Sequence, residues 1–246
     1  MKTKPRLFLL PLLLALSACK GVAADAPATA SAAEAPAQPP AKKGALLFSD
    51  DFERAEIGPA WRTSQRSFAI VDGALKAGQM RSEHPAVGAV SVPFKDAIIE
   101  FRFRFEGASG ISAVCDDKAF TGSHAGHICR VTITPKLIRL GDDREGGMRN
   151  DILELRKDPK RRAEGDKLME GRTKAFPAMI EAHGWHLLKM EIVGEEMRVS
   201  LDEKFVGGLK SPGIGHPTKS TFHFSVSGKD VLLDDLHIWA AEPAQK

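Results

Sequence analysis

The chain has 246 residues, 43% of them hydrophobic and 27% charged, with a formal net charge of +3. Lys2, Lys4 and Arg6 account for that whole excess and no acidic residue precedes Cys19, so the chain from Cys19 onward is formally neutral. A neutral chain without a basic face lacks the phosphate-neutralising charge on which nucleic-acid binding leans, and no nucleic-acid partner is expected.

The three leading cations run into an apolar stretch at 7–16 and then into Leu16-Ser17-Ala18-Cys19. Such a leader reads as a secretory signal, since its apolar core falls short of the roughly 20 residues that a transmembrane helix needs. The four residues ending in Cys19 resemble the lipobox of bacterial lipoproteins. The resemblance implies a signal peptide at 1–18, lipidation of Cys19 and a membrane anchor through it. It also implies a place in the cell envelope, facing the periplasm or the exterior. An ordinary signal peptide cut near Ala18 or Ala24 is the alternative, and either takes the protein out of the cytoplasm. Residues 19–45 are rich in Ala and Pro, hold no hydrophobic period and read as a flexible tether. Residues 46–240 suit one domain with one core, and 241–246 form a tail.

Short apolar runs of period two dominate the domain. Residues 68–71 and 74–76 flank Asp72-Gly73, a pair suited to a type I′ hairpin turn. Ile99, Phe101, Phe103 and Phe105 alternate with Glu100, Arg102, Arg104 and Glu106, as in an antiparallel strand with one buried face. Further strands are expected at 111–115, 129–133, 185–193, 197–201, 221–226 and 231–239, which together give an all-β sandwich. One helical excursion is expected: Asp158-Pro159 supplies an N-cap and a first-turn proline, and the polar run 160–172 follows, broken by Gly165. Its thin apolar content marks a solvated surface helix.

Cys115 and Cys129 lie on the apolar parity of two adjacent strands. Setting them opposite also sets Ala113 against Val131 and Ile111 against Ile133, so one register accounts for three facing pairs. An exported chain permits a Cys115–Cys129 disulfide; two small buried thiols are the alternative.

The segments Phe48-Ser49-Asp50-Asp51-Phe52-Glu53-Arg54, Gly58-Pro59-Ala60-Trp61 and Val71-Asp72-Gly73-Ala74-Leu75 resemble the opening of 3-keto-disaccharide hydrolase-type domains. Trp185-His186, Leu201-Asp202-Glu203-Lys204 and the run from Leu233 to Trp239 resemble the family's later strands. The resemblance covers residues 46–240 and implies a concanavalin A-like jelly-roll sandwich of two antiparallel sheets, related in fold to family 16 glycoside hydrolases. It also implies a carbohydrate partner, a glycoside or polysaccharide, outside the cytoplasm. Since the fold hosts lectins and hydrolases alike, activity has to be argued from the site.

Family 16 enzymes carry acids alternating along one strand as Glu-x-Asp-x-x-Glu, and this sequence has no such run. Glu195-Glu196 and Asp202-Glu203 fall at expected hairpin tips. The polar candidates are Arg130, His223 and His237 for catalysis, and Arg102, Arg104 and Trp239 for substrate binding. If their strands share a sheet, Arg102, Arg104, Arg130, His223 and His237 converge on one polar face, where histidine can move protons near neutral pH. The alternative is that they are solvated residues on a convex face. His124 and His127 with Asp116 and Asp117 offer imidazole and oxygen ligands, yet His-x-x-His in a loop lacks the geometry of a zinc motif. No metal and no cofactor is expected. The acid pairs Asp50-Asp51 and Asp234-Asp235 more often cap turns than hold calcium. Two readings follow: a domain that hydrolyses or eliminates 3-keto-glycosides by general acid-base chemistry, or a non-catalytic module binding glycan or protein.

Overall fold

The computed structural model describes residues 41–64, 67–80 and 83–242. The leader, Cys19 and nearly all of the tether lie outside the described residues. Among the described residues, thirteen strands form one connected antiparallel ladder. Its spine is a pair of long strands, β6 (Ala97–Asp116) and β13 (Lys219–Glu242), hydrogen-bonded from Thr221↔Asp116 to Ala240↔Ala97.

Residues 99–105 and 111–115, expected as separate strands, belong to this one β6, and 221–226 and 231–239 belong to β13. What joins them is a bend. Gly107 (φ 101°) and Gly228 (φ 84°) take backbone angles that suit glycine, and the register slips around Gly228 and Asp230. The first half of β6 pairs with β10 (His186–Val193), which pairs with β11 (Glu196–Leu201) and through it with β12 (Lys204–Lys210). The second half pairs with β7 (His127–Thr134), which leads to β8 (Leu137–Asp142) and β9 (Thr173–Pro177). Along β13, the first half pairs with β5 (Ala86–Phe94) and, through it, with β2 (Trp61–Thr63). Its later half pairs with β4 (Ala74–Gly78) and β1 (Lys42–Asp50).

The two halves of the bent ladder are the layers of the sandwich. Ile99, Phe101 and Phe103 of one half and Ile111, Ala113 and Cys115 of the other are fully buried in a single core. Phe101 meets Phe224 across the layers, ring centroids 4.9 Å apart and edge to face. Each such phenyl stabilises the fold by about 1.5–3 kcal/mol through burial. Trp61 joins the same cluster, stacked on Phe224 and donating its Nε1–H to Asp50 at 2.7 Å. Asp50 also accepts from the Phe52 amide at 2.9 Å, the turn-capping role expected of such acids, and holds Arg54 through both oxygens.

The Asp72-Gly73 hairpin joins β3 (Phe68–Val71) to β4 with both turn residues at positive φ, as a type I′ turn requires. Three expectations need correction. β1 begins at Lys42, inside the expected tether, because Lys42 pairs with Glu242; the same pairing carries β13 two residues past Ala240. Asp158-Pro159 ends a helix instead of starting one: α1 (Asn150–Lys157) stops at Asp158, whose backbone is extended as steric crowding by a following proline demands. Gly165 does not break a helix. It lies buried inside α2 (Arg162–Leu168), where a Cβ would strike the Arg156 side chain, so it lets the two helices touch.

Candidate functional site

Val114 on β6 is flanked by His223 of β13 on one side and Arg130 of β7 on the other. Period two carries the same outward face along β6 to Asp116. The expected register of β7 holds, with Cys115 facing Cys129, and a β-bulge then reshapes the site. Asp116 pairs with His127, so Ile128 is an extra residue whose side chain, like that of Cys129, enters the core. The insertion turns His127 onto the face of Asp116. The approach to β7 is equally constrained. Ala125 (φ 53°) and Gly126 (φ 75°) are left-handed, and a Cβ on Gly126 would collide with the Asp117 carbonyl.

The result is a carboxylate shared by two imidazoles. Asp116, fully buried, accepts from His127 Nδ1 at 2.6 Å on Oδ1 and from His223 Nδ1 at 2.9 Å on Oδ2. Lys118 Nζ adds a contact at 3.1 Å. Burial pushes the Asp116 carboxyl up, but the hydrogen bonds from His127 and His223, and the charge of those rings, outweigh it and hold the group far below the usual carboxylate range. An ionised carboxylate only accepts, so both Nδ1 atoms carry hydrogen. Neither Nε2 has a hydrogen-bond partner among the described residues. The two rings lie 5.5 Å apart at 42°.

Beside this cluster, Arg130 donates from Nε to Asp143 at 2.5 Å. Burial pushes the Asp143 carboxyl up, against the opposing charge and hydrogen bond of Arg130 and a smaller effect of His127. Arg130 and Asp143 open onto a cleft of about 410 Å³, floored by β7 and β8 and walled by Met148, Arg156 and Met169 of the segment between β8 and β9.

The polar candidates therefore divide. Arg130 and His223 belong to the cluster. Arg102, Arg104, His237 and Trp239 do not, because they sit on the other half of the bent ladder: Arg102 pairs with Leu187 and Asp234, and His237 with Glu100. Arg102 and Arg104 lie against the Trp185 ring, at 5.9 and 5.2 Å. Trp239 stacks on His237 at 5.1 Å and carries Lys43 Nζ 3.8 Å over its ring. That ring is engaged by protein groups. Cys115 and Cys129 face one another as free, buried thiols.

In the sequence Asp116 and His127 share a loop with Asp117 and His124, without the geometry of a zinc motif. Tertiary structure draws Asp117 away from this group, while the His124 ring stays 5.8 Å from that of His127. Asp117 turns to His216 Nε2 (2.9 Å) and Thr218 Oγ1 (2.6 Å), while Asp116 and His127 gain His223. Donor atoms of Asp116, His127 and His223 lie within 4.8 Å of one another, a set chemically able to hold a cation. The strand parity of Asp116 with Val114 was a readable signal for its place; nothing local marked Asp143.

No protein-family model matches the chain, and no curated protein matches it in sequence. Solved structures do share the fold. The endo-β-1,3-glucanase of Pyrococcus furiosus superposes with a TM-score of 0.58 at 10% identity, covering 81% of this chain and 95% of that one. The laminarinase of Flavobacterium sp. UMI-01 gives 0.57 at 11% identity, covering 79% and 100%. A carbohydrate-binding module, CBM66, from Bacillus subtilis gives 0.51 at 13% identity, covering 74% and 96%. At these identities the likeness establishes the architecture alone: the chain folds as a concanavalin A-like jelly roll.

Proposed function

We propose that this is a carbohydrate-active protein of the cell envelope that cleaves 3-keto-glycosides by general acid-base chemistry at Asp116, His127, His223 and Arg130. The observation that carries the reading is the buried Asp116 carboxylate, which fixes two imidazoles side by side with both Nε2 atoms turned away from it. The fold it shares with glucanases and a carbohydrate-binding module supports a sugar as the ligand.

A ketone at C3 acidifies the hydrogen on C2. One imidazole Nε2 takes that proton, and the C2–H electron pair forms a C1–C2 double bond as the C1–O bond breaks. The second imidazole, protonated, gives its proton to the departing oxygen. Water added across the new double bond completes hydrolysis. Charge develops on the keto oxygen during proton removal, and Arg130 is the nearby cation to receive it. Asp116 acts through the rings, fixing their tautomer and stabilising whichever becomes charged.

Turnover of a 3-keto-glucoside and its parent glucoside tests this. His223→Ala and His127→Ala are each expected to lower 3-keto turnover by about 10²-fold or more, the scale of a general acid-base group. Unchanged turnover in both folded variants removes the pair from the mechanism. A second reading, a non-catalytic glycan-binding module, is favoured by the missing family 16 acid run and the likeness to CBM66. Saturable glycan binding with no turnover on either substrate would establish it.

A further inference from the structure

The cleft beside the cluster has a charge pattern that bears on which sugar it takes. Three guanidinium groups border it, from Arg130 on β7, Arg139 on β8 and Arg156 on α1. The two acids there, Asp142 and Asp143, are already committed to protein donors. Asp142 accepts from Ser211 Oγ at 2.5 Å and from the Gly213 and Glu145 amides at 2.9 Å each. Asp143 accepts from Arg130 Nε.

The cations are less fully matched. Arg130 keeps Nη2 buried without a hydrogen-bond partner among the described residues. Arg156 gives its Nε to Asp166 at 2.9 Å, a carboxylate that does not line the cleft. Arg139 is exposed and has no partner among the described residues. Guanidinium groups recognise planar or tetrahedral oxyanions through paired N–H donors, while Met148 and Met169 offer apolar surface to the C–H face of a ring.

We propose that this cleft binds an anionic saccharide unit, its carboxylate or sulfate held by Arg139 and Arg156 and by the free end of Arg130. This specificity rests on the reading that the cleft takes a sugar, and it names the substrate class within that reading.

Calorimetric titration with size-matched probes separates the possibilities: a trigalacturonate, a sulfated galacto-trisaccharide and a neutral galacto-trisaccharide, at low and physiological salt. At least one anionic probe is expected to bind about tenfold or more tighter than the neutral one, with the advantage shrinking as salt screens it. Preference for the uronate or for the sulfated sugar identifies which oxyanion is read. Arg139→Ala is expected to weaken the anionic probe far more than the neutral one and so erase the advantage, and Arg139→Lys to restore part of it. Arg139 is exposed, so a matching thermal melt confirms the fold of both variants. Equal affinity for neutral and anionic probes overturns the anionic specificity alone. Failure of all three to bind overturns it together with the sugar-binding reading.

Discussion

His127 and His223 come from strands on opposite sides of β6, yet their rings stand 5.5 Å apart and both turn Nδ1 to Asp116. One carboxylate thus sets the orientation of two proton-carrying groups that the chain supplies far apart in sequence.

Replacing that carboxylate by an amide tests the arrangement. In Asp116→Asn one position faces a ring Nδ1–H with an oxygen and the other with an N–H, so one imidazole loses its acceptor. Breaking this buried polar group is expected to cost about 2–4 kcal/mol. Turnover of the 3-keto-glycoside should fall at least as far as in His223→Ala. Urea unfolding of the variant beside steady-state assays checks both effects; wild-type stability with wild-type turnover would show that Asp116 neither supports nor orients the rings.

Acid stability follows from the lowered carboxyls, Asp50 and Asp116 among them. Burial pushes Asp50 up, but hydrogen bonds from Arg54, Trp61 and the Phe52 amide outweigh it and lower its pKa; Asp116 is lowered by its histidines. A carboxyl with a depressed folded pKa contributes stability that is complete above its unfolded value, near 4, and is lost as pH falls toward the folded value. The unfolding midpoint should therefore drop steadily below about pH 4. Asp143, raised by burial, acts in the opposite sense, and its contribution is lost as pH rises through its raised value. Asp50→Asn should show lower stability at neutral pH and a shallower fall in acid, measured by urea melts from pH 7 down to about pH 2.

Cys115 and Cys129 face each other in register as buried, free thiols. The neighbouring Cys129 thiol and complete burial push the Cys115 thiol up, so it resists oxidation once the core has closed. A bridge is expected to form during folding in an oxidising compartment and to add about 3 kcal/mol on the chain-entropy account for a loop of this length. Alkylation of unreduced, unfolded exported protein followed by mass spectrometry should find neither thiol modified. Two alkylated thiols in fresh exported material would show that the pair stays reduced.

Cys19 is the remaining cysteine, and the lipobox-like residues before it lead to a separate expectation. Cys19→Ser should move the protein from the membrane to the soluble extracytoplasmic fraction, since stable anchoring needs more than one acyl chain and those chains would be carried at this residue. Wild-type protein recovered wholly in the soluble fraction would refute the anchor.

Which side chains of each strand enter the core was legible in the order of the residues. Alternation in 99–105 and 111–115 identified Phe101, Phe103 and Cys115 as core, Asp72-Gly73 as a tight hairpin, and Cys129 as the partner of Cys115. These are short-range properties, written in side-chain period and turn chemistry. Which outward residues meet depends on the folded path of the long strands. Period two tells the face of a strand but not where a long strand bends, and the bend near Gly107 and Gly228 carries Arg102 and His237 away from Arg130 and His223. Nor does it reveal an inserted residue: the bulge at Ile128 brings His127 to Asp116 by breaking the alternation on which a sequence reading depends.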